Sequence, residues 1–210
     1  KKGILILKRV AANEKYAPYH RAGAATYIAG IYPAALDAAF AKNHIFFGGY
    51  PWDSFLEGDD IGVAVRRAYE WADALFPTAR ASYNIALWYG RRLGEDGASS
   101  LPILSDAQRE IYTDFFRGKM AEGDRLLEII IERGTLAKDA KERAFLFQLR
   151  GLAHGADYEL FGAPQSKHIA ESSFKLALAS LEENPIIAET ESAEGMRLFV
   201  QYHYAVFLSR

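Results

Sequence analysis

An all-α fold of antiparallel helical hairpins, about nine helices in a single domain over residues 1–210, is predicted by three observations. Apolar residues recur at helical spacing along most of the chain, strand signals are scarce, and the breaks fall at glycines and prolines with short connections between them. No Asn-Gly or Asp-Gly pair is flanked by alternating strands.

The elements follow in order. Residues 3–13, 18–31 and 33–42 read as three short helices, with Pro18 and Pro33 in first-turn positions where a missing N–H costs nothing. Residues 44–58, rich in aromatics and glycine, break the pattern. Asp59 or Asp60 caps a helix running to Phe76, Pro77 ends it, and Thr78 starts the next, which carries ASYNIALWYGRRL to about Leu93. After a Gly/Ser loop over 94–104, Ser105 and Gln108 form a capping box for a helix reaching about Gly118, with Ile111 and Phe115 as its apolar pair. Leu126, Leu127, Ile130 and Ile131 give a stripe over 121–133, closed by Gly134, so that 105–133 reads as a hairpin turning around Gly118. Residues 138–162 form the longest helical stretch. Its Phe145, Leu149 and Leu152 face one way, and Gly151 and Gly155 are spaced to admit a close neighbour. Residues 166–183 repeat Phe174, Ala177, Leu178 and Leu181 before Pro185, and 192–209 make a final aromatic-rich helix.

Composition narrows the function classes. The 210 residues are 50% hydrophobic and 25% charged, enough for a substantial core and too apolar for general disorder. Twenty-five Lys plus Arg stand against 27 Asp plus Glu, interspersed, so there is no basic face for a nucleic acid and none is expected as partner. Cysteine is absent, which removes disulfides, thiolate nucleophiles and Cys-ligated metals. No stretch reaches the roughly 20 apolar residues that span a bilayer, so no transmembrane segment is expected. The chain starts at Lys1 without a methionine, leaving room for an upstream signal peptide or lipid-anchoring Cys. Cytoplasm and bacterial periplasm both stay open.

Catalytic and metal patterns are weak. His20, His44, His154, His168 and His203 are scattered, and none belongs to an HExxH-type motif. His154 and Asp157 share a helix face at i and i+3, but a metal there needs a ligand from another helix, and the pair reads as surface or hydrogen-bonded. Asp53, Glu57, Asp59 and Asp60 lack the order of a calcium loop and read as helix capping. Nucleotide-cradling glycine loops and nucleophile elbows are missing, so no catalysis, metal or cofactor is expected. In IFFGGYPWDSF, the glycines keep a regular helix from burying the rings, which makes Tyr50 and Trp52 candidates for lining a binding groove. Phe199, Tyr202, His203, Tyr204 and Phe207 occupy more than one face of the last helix. That helix is therefore expected to meet a further helix or a second subunit, giving a homo-oligomer through the C-terminal helix.

One arrangement resembles a known family. Val65, Tyr69, Ala72 and Pro77 match the second-helix spacing of a tetratricopeptide repeat, with Val in place of the first Ala, and YNIALWY, carrying Tyr83, Asn84 and Ile85, resembles the following first helix with Ala86 in place of the Gly. Ala170, Phe174 and Ala177 stand at the same distances, while Pro185 comes three residues late. YIAGIYPAAL, with Tyr27, Gly30, Tyr32, Ala35 and Leu36, resembles the turn inside a unit, and FFRGKMAEGDRLLEII does so more loosely. The resemblance implies a TPR-like right-handed array whose first helices line a hollow. Certain members of that family clamp a peptide carboxylate with Lys, Asn and Arg there. Arg80, Asn84 and Arg91 share one stripe and, by this resemblance, are the candidate clamp. The expected function is a non-catalytic binding or scaffolding module for a protein or peptide partner. The alternative is a transport-associated receptor for a small anionic or amphipathic ligand.

Overall fold

The computed structural model describes residues 2–28, 61–94, 103–134, 140–183 and 191–210, and these are all-helical, with no strand among them. Eight helices are present among the described residues: α1 (Lys2–Ala12), α2 (18–28), α3 (Ile61–Leu75), α4 (Ala79–Gly94), α5 (Asp106–Glu132), α6 (Ala140–Phe161), α7 (Pro164–Glu182) and α8 (Glu191–Leu208). None is long and apolar enough to cross a membrane. The expected helix 33–42, the segment 44–58 with Tyr50 and Trp52, the acidic group from Asp53 to Asp60, and Pro185 lie outside the described residues.

Contacts divide the chain into two compact units, Lys1–Ala81 and Ser82–Arg210. The first unit is built on small residues. Ala11, Ala22, Ala24, Ala25 and Ala72 form its core, with Leu7, Val10, Trp71 and Leu75 packed around them. Alanines let helix backbones approach closely, and the larger side chains close the margins. Arg21 donates to the Ala11 carbonyl at 2.9 Å, satisfying an end of α1 that has no further helical partner. The break after α3 follows the sequence: Leu75 is its last residue, Pro77 follows, and Thr78 accepts from the Ala81 N–H at 3.2 Å as the first turn of α4 opens.

In the second unit, neighbours in sequence pair antiparallel. Along α4 and α5, Tyr83 meets Asp124, while Arg109 donates to the Leu93 carbonyl. Along α5 and α6, Arg117 meets Asp157 and Asp124 meets Arg150. Gly162 joins α6 to α7 at φ 66°, a left-handed turn that glycine adopts without a Cβ clash, and its N–H bonds the Tyr158 carbonyl at 2.8 Å. Ala163 is then extended ahead of Pro164, which opens α7. At the far end of the pair, Arg143 donates to Ser180 at 3.0 Å and pairs with Glu183.

Aromatic rings seated against glycines hold this unit together. A Cβ on Gly90 would lie 2.9 Å from Phe116, and one on Gly123 would lie 2.7 Å from Tyr83, so α4 and α5 each offer a ring to the other's notch. Gly151 and Gly155, expected to admit a close neighbour, receive Phe174 of α7 and Phe207 of α8, at 3.1 and 3.2 Å from where a Cβ would stand. Phe174 also stacks on Tyr204, with centroids 5.4 Å apart.

The hairpin expected around Gly118 is corrected by the structure: α5 runs unbroken from Asp106 to Glu132, one helix where two were expected. Its buried residues Phe116, Met120, Gly123 and Leu127 are spaced four, three and four apart, a stripe that passes straight across Gly118. An interior glycine costs only about 1 kcal/mol, less than breaking that stripe. The expected apolar pair is also displaced: Ile111 and Phe115 stay about half exposed, at 52% and 51%, and Phe116 enters the core. The Ser105–Gln108 capping box is formed, and Gly134 ends the helix region at φ 63°.

Candidate functional site

A cleft of about 560 Å³ opens between α4, α6, α7 and α8, all within the second unit. Gly90 and Gly94 on α4 and Gly151 and Gly155 on α6 line it, together with Phe174 and Phe207, the rings seated on Gly151 and Gly155. Leu87, Leu152, Leu160 and Val206 make the surface apolar. Polar groups come from Arg91, Glu159, His203 and Arg210, of which Arg210 and Glu159 form an ion pair. Burial pushes His203 below its ordinary 6.5, so this imidazole is neutral at pH 7. The lining thus carries two guanidinium groups and one carboxylate over an apolar floor.

The sequence-nominated residues are distributed as follows. Arg91 is exposed and lines the cleft. Asn84 is half-buried on α4 and is not among the lining residues. Arg80, half-buried at the start of α4, lies against Tyr69; burial raises the Tyr69 pKa while the charge and hydrogen bond of Arg80 lower it. Tyr50 and Trp52 lie outside the described residues.

A second feature was only partly visible in the sequence. His154 and Asp157, expected to be a surface or hydrogen-bonded pair, are both buried, each 4% exposed, and are linked through Ser166. His154 Nε2 lies 2.9 Å from Asp124 Oδ2, and its Nδ1 lies 3.3 Å from Ser166 Oγ, whose hydroxyl donates to Asp157 Oδ2 at 2.6 Å. Tyr83 and Arg150 both donate to Asp124 Oδ1 at 2.8 Å, and Arg117 donates to Asp157 at 3.2 Å with its guanidinium 4.3 Å over the Phe161 ring. The chain of contacts thus ties α4, α5, α6 and α7 together. For Asp124, burial works to raise the carboxyl, but His154, Tyr83 and Arg150 outweigh it and hold the group below its ordinary 3.8. Burial and the adjacent Asp124 charge push the Tyr83 hydroxyl far above its usual range. The available signal was a polar stripe, Arg150, His154 and Asp157 at i, i+4 and i+7, among the Leu, Gly and Ala residues of 149–157. Asp124 and Ser166 left no comparable trace.

Among the described residues, no group of three or more His, Asp or Glu side chains could hold a metal ion. Comparison with protein-family models, curated proteins and solved structures finds no match.

Proposed function

We propose that the protein is a non-catalytic binding module in which a TPR-like helical array takes a protein or peptide partner in the cleft between α4, α6 and α8. The observation that carries this reading is the cleft itself: a formed recess with an apolar floor and the arginines Arg91 and Arg210 in its lining. An apolar side chain of the partner fills the floor, and an acidic group beside it meets a guanidinium, which offers parallel donors to a carboxylate. The antiparallel neighbours and the rings seated on glycines support the array-like arrangement, because small and aromatic positions alternate across its contacts.

A second reading, a small anionic or amphipathic ligand, is favoured by the volume: about 560 Å³ falls inside the roughly 300–1,000 Å³ typical of small-molecule sites. Native mass spectrometry of the protein from its source separates the two by the mass of what stays bound. The identified species is then titrated calorimetrically into wild type, Arg91→Ala and Ala156→Trp, the last placing an indole on the half-buried cleft floor. Affinity falling at least about tenfold in both variants, roughly 1.4 kcal/mol each, is the expected result. Unchanged affinity in both refutes the assignment. The homo-oligomer proposed through the C-terminal helix has its support in α8, where Leu198, Phe199, Tyr202 and Leu208 are each more than half exposed; light scattering in solution tests it.

A further inference from the structure

An open groove of about 400 Å³ lies along α5, lined by Ile111, Asp114, Phe115, Gly118 and Lys119. None of these residues lines the cleft, and none belongs to α8. Ile111, Phe115 and Gly118 fall on one exposed stripe at helical spacing. The half-exposed Phe115 ring is held from behind: it stacks on the buried Tyr89 with centroids 5.3 Å apart, and Tyr89 meets Tyr112 edge-on at 5.0 Å. A ring fixed in this way loses little rotamer freedom when a partner covers it. Elsewhere in this unit rings sit on glycines: Phe116 on Gly90, Tyr83 on Gly123, Phe174 on Gly151 and Phe207 on Gly155. At Gly118 the notch is empty, with nothing within 4 Å of where a Cβ would stand. The groove thus presents a rigid ring without a notch and a notch without a ring.

Charge indicates what covers it. Asp114 and Lys119 stand at equal distances on either side of the midpoint between Phe116 and Arg117, and so do Phe115 and Gly118. The same helix, reversed about that midpoint, meets acid with base and ring with notch, twice over, which is the self-complementarity a two-fold interface requires. We propose that two copies of the chain pack α5 against α5 in antiparallel fashion, each placing Phe115 over the other's Gly118 and Asp114 against the other's Lys119. Asp114 forms no ion pair among the described residues, while Lys119 pairs with Glu122 of its own helix at 2.6 Å. An ammonium carries three donors, so Lys119 holds Glu122 and the second copy's Asp114 together. Ile111 lies over the carbon stems of the second copy's Lys119 and Glu122. The apolar contacts supply the affinity, and the charges fix the register. This face is separate from the cleft and from the contact through α8, and it stands whether or not the binding reading does.

Exchange of the charges is the test. In a dimer of Asp114→Lys both polar contacts across the axis become Lys–Lys, and in a dimer of Lys119→Asp both become Asp–Asp. A mixed dimer of the two variants restores both: the introduced lysine meets the introduced aspartate, and the native Lys119 meets the native Asp114. Sedimentation equilibrium from about 1 μM to 1 mM measures association, native mass spectrometry of the mixture separates the species by mass, and circular dichroism confirms that each variant keeps its helices. Expected are a reversible wild-type dimer, a dissociation constant raised at least about tenfold in each variant alone, and mixed dimers as tight as wild type. A wild-type monomer throughout the range overturns the proposal. So do variants that dimerise as tightly as wild type, which would move the contact to another face such as α8, and a mixture no tighter than its components, which would refute the register. Should Lys119→Asp fail to fold, Asp114→Lys is compared with Asp114→Asn: the lysine variant dimerising more weakly is expected, and equal affinity of the two overturns the pairing with Lys119.

Discussion

Two glycines on α5, five residues apart, are expected to respond to the same substitution with opposite signs. At Gly118 an added Cβ meets nothing within 4 Å, and the residue is exposed in the middle of a continuous helix. Gly118→Ala therefore gains helix propensity without a steric cost, stabilising by about 0.5–1 kcal/mol. At Gly123 the added Cβ would stand 2.7, 2.8 and 3.0 Å from three carbons of the Tyr83 ring. Relaxed carbon contacts lie near about 3.5–4.0 Å, so the ring must retreat by up to about 1 Å. Tyr83 is fully buried and its hydroxyl is held by Asp124 at 2.8 Å, which leaves the ring little freedom to do so. Overpacking of this kind costs about 1–3 kcal/mol, and subtracting the propensity gain leaves Gly123→Ala destabilised by about 1–2 kcal/mol. The two variants should then differ by about 2–3 kcal/mol, or roughly 4–12 °C in Tm for a chain of this size. Native-state hydrogen exchange at the amides of Phe116, Met120 and Leu127 reads the effect where it arises. Slower exchange in Gly118→Ala and faster exchange in Gly123→Ala is the expected pattern. Loss of protection in Gly118→Ala would refute the unbroken helix, because a chain that turns at Gly118 uses the freedom that alanine removes.

Other consequences can be checked by the same denaturation measurements. Gln148 is 1% exposed, and neither its Nε2 nor its Oε1 has a hydrogen-bond partner among the described residues. Gln148→Met keeps the shape and removes both stranded atoms, for an expected gain of about 1–2 kcal/mol in urea unfolding. Asp124→Asn takes the charge from beneath Arg150 and His154 and is expected to cost about 2–3 kcal/mol at neutral pH, at the low end because the Asp124 side chain keeps 22% exposure. Since Asp124 is held below 3.8 in the folded state, its contribution is present above that value and is lost as pH falls through the lowered folded value. A pH titration of stability should therefore show an acid limb in wild type that Asp124→Asn lacks. Ser105→Ala removes the capping box of α5 and should cost about 1 kcal/mol, with fraying seen as faster exchange in the first turn.

What the sequence showed depended on the range of the interaction. Caps and breaks are local, so Ser105 with Gln108, the stop at Pro77, the start at Thr78 and the left-handed Gly134 could all be read from neighbouring residues. The spacing of Gly151 and Gly155 announced close packing on α6 but could not say that Phe174 and Phe207 would fill it, because those partners come from other helices. At Gly118 the local rule misled: glycine signals freedom, and the stripe from Phe116 to Leu127 outweighed it. Choosing Phe115 over Phe116 was a register error of one residue, which on a helix turns the side chain about 100° away from the core. The polar chain was least legible. Tyr83, Asp124 and His154 are separated by 41 and 30 residues, and only the stacking of four helices brings them together. Arg91, nominated from helical spacing and family resemblance, lines the cleft, whereas the opposing wall with His203 and Arg210 depends on where α8 packs.

The most direct test of the binding role is amide chemical-shift mapping of the isotope-labelled protein titrated with whatever native mass spectrometry finds retained. Gly90, Gly151 and Gly155 line the cleft, and the Phe174 and Phe207 rings seated on the latter two line it as well, so their amide signals report its occupant. The binding account predicts saturable shifts centred on these glycines, together with Arg91 and Val206, in wild type and their loss in Ala156→Trp. Shifts that leave the cleft untouched and cluster within residues 1–81 would contradict it.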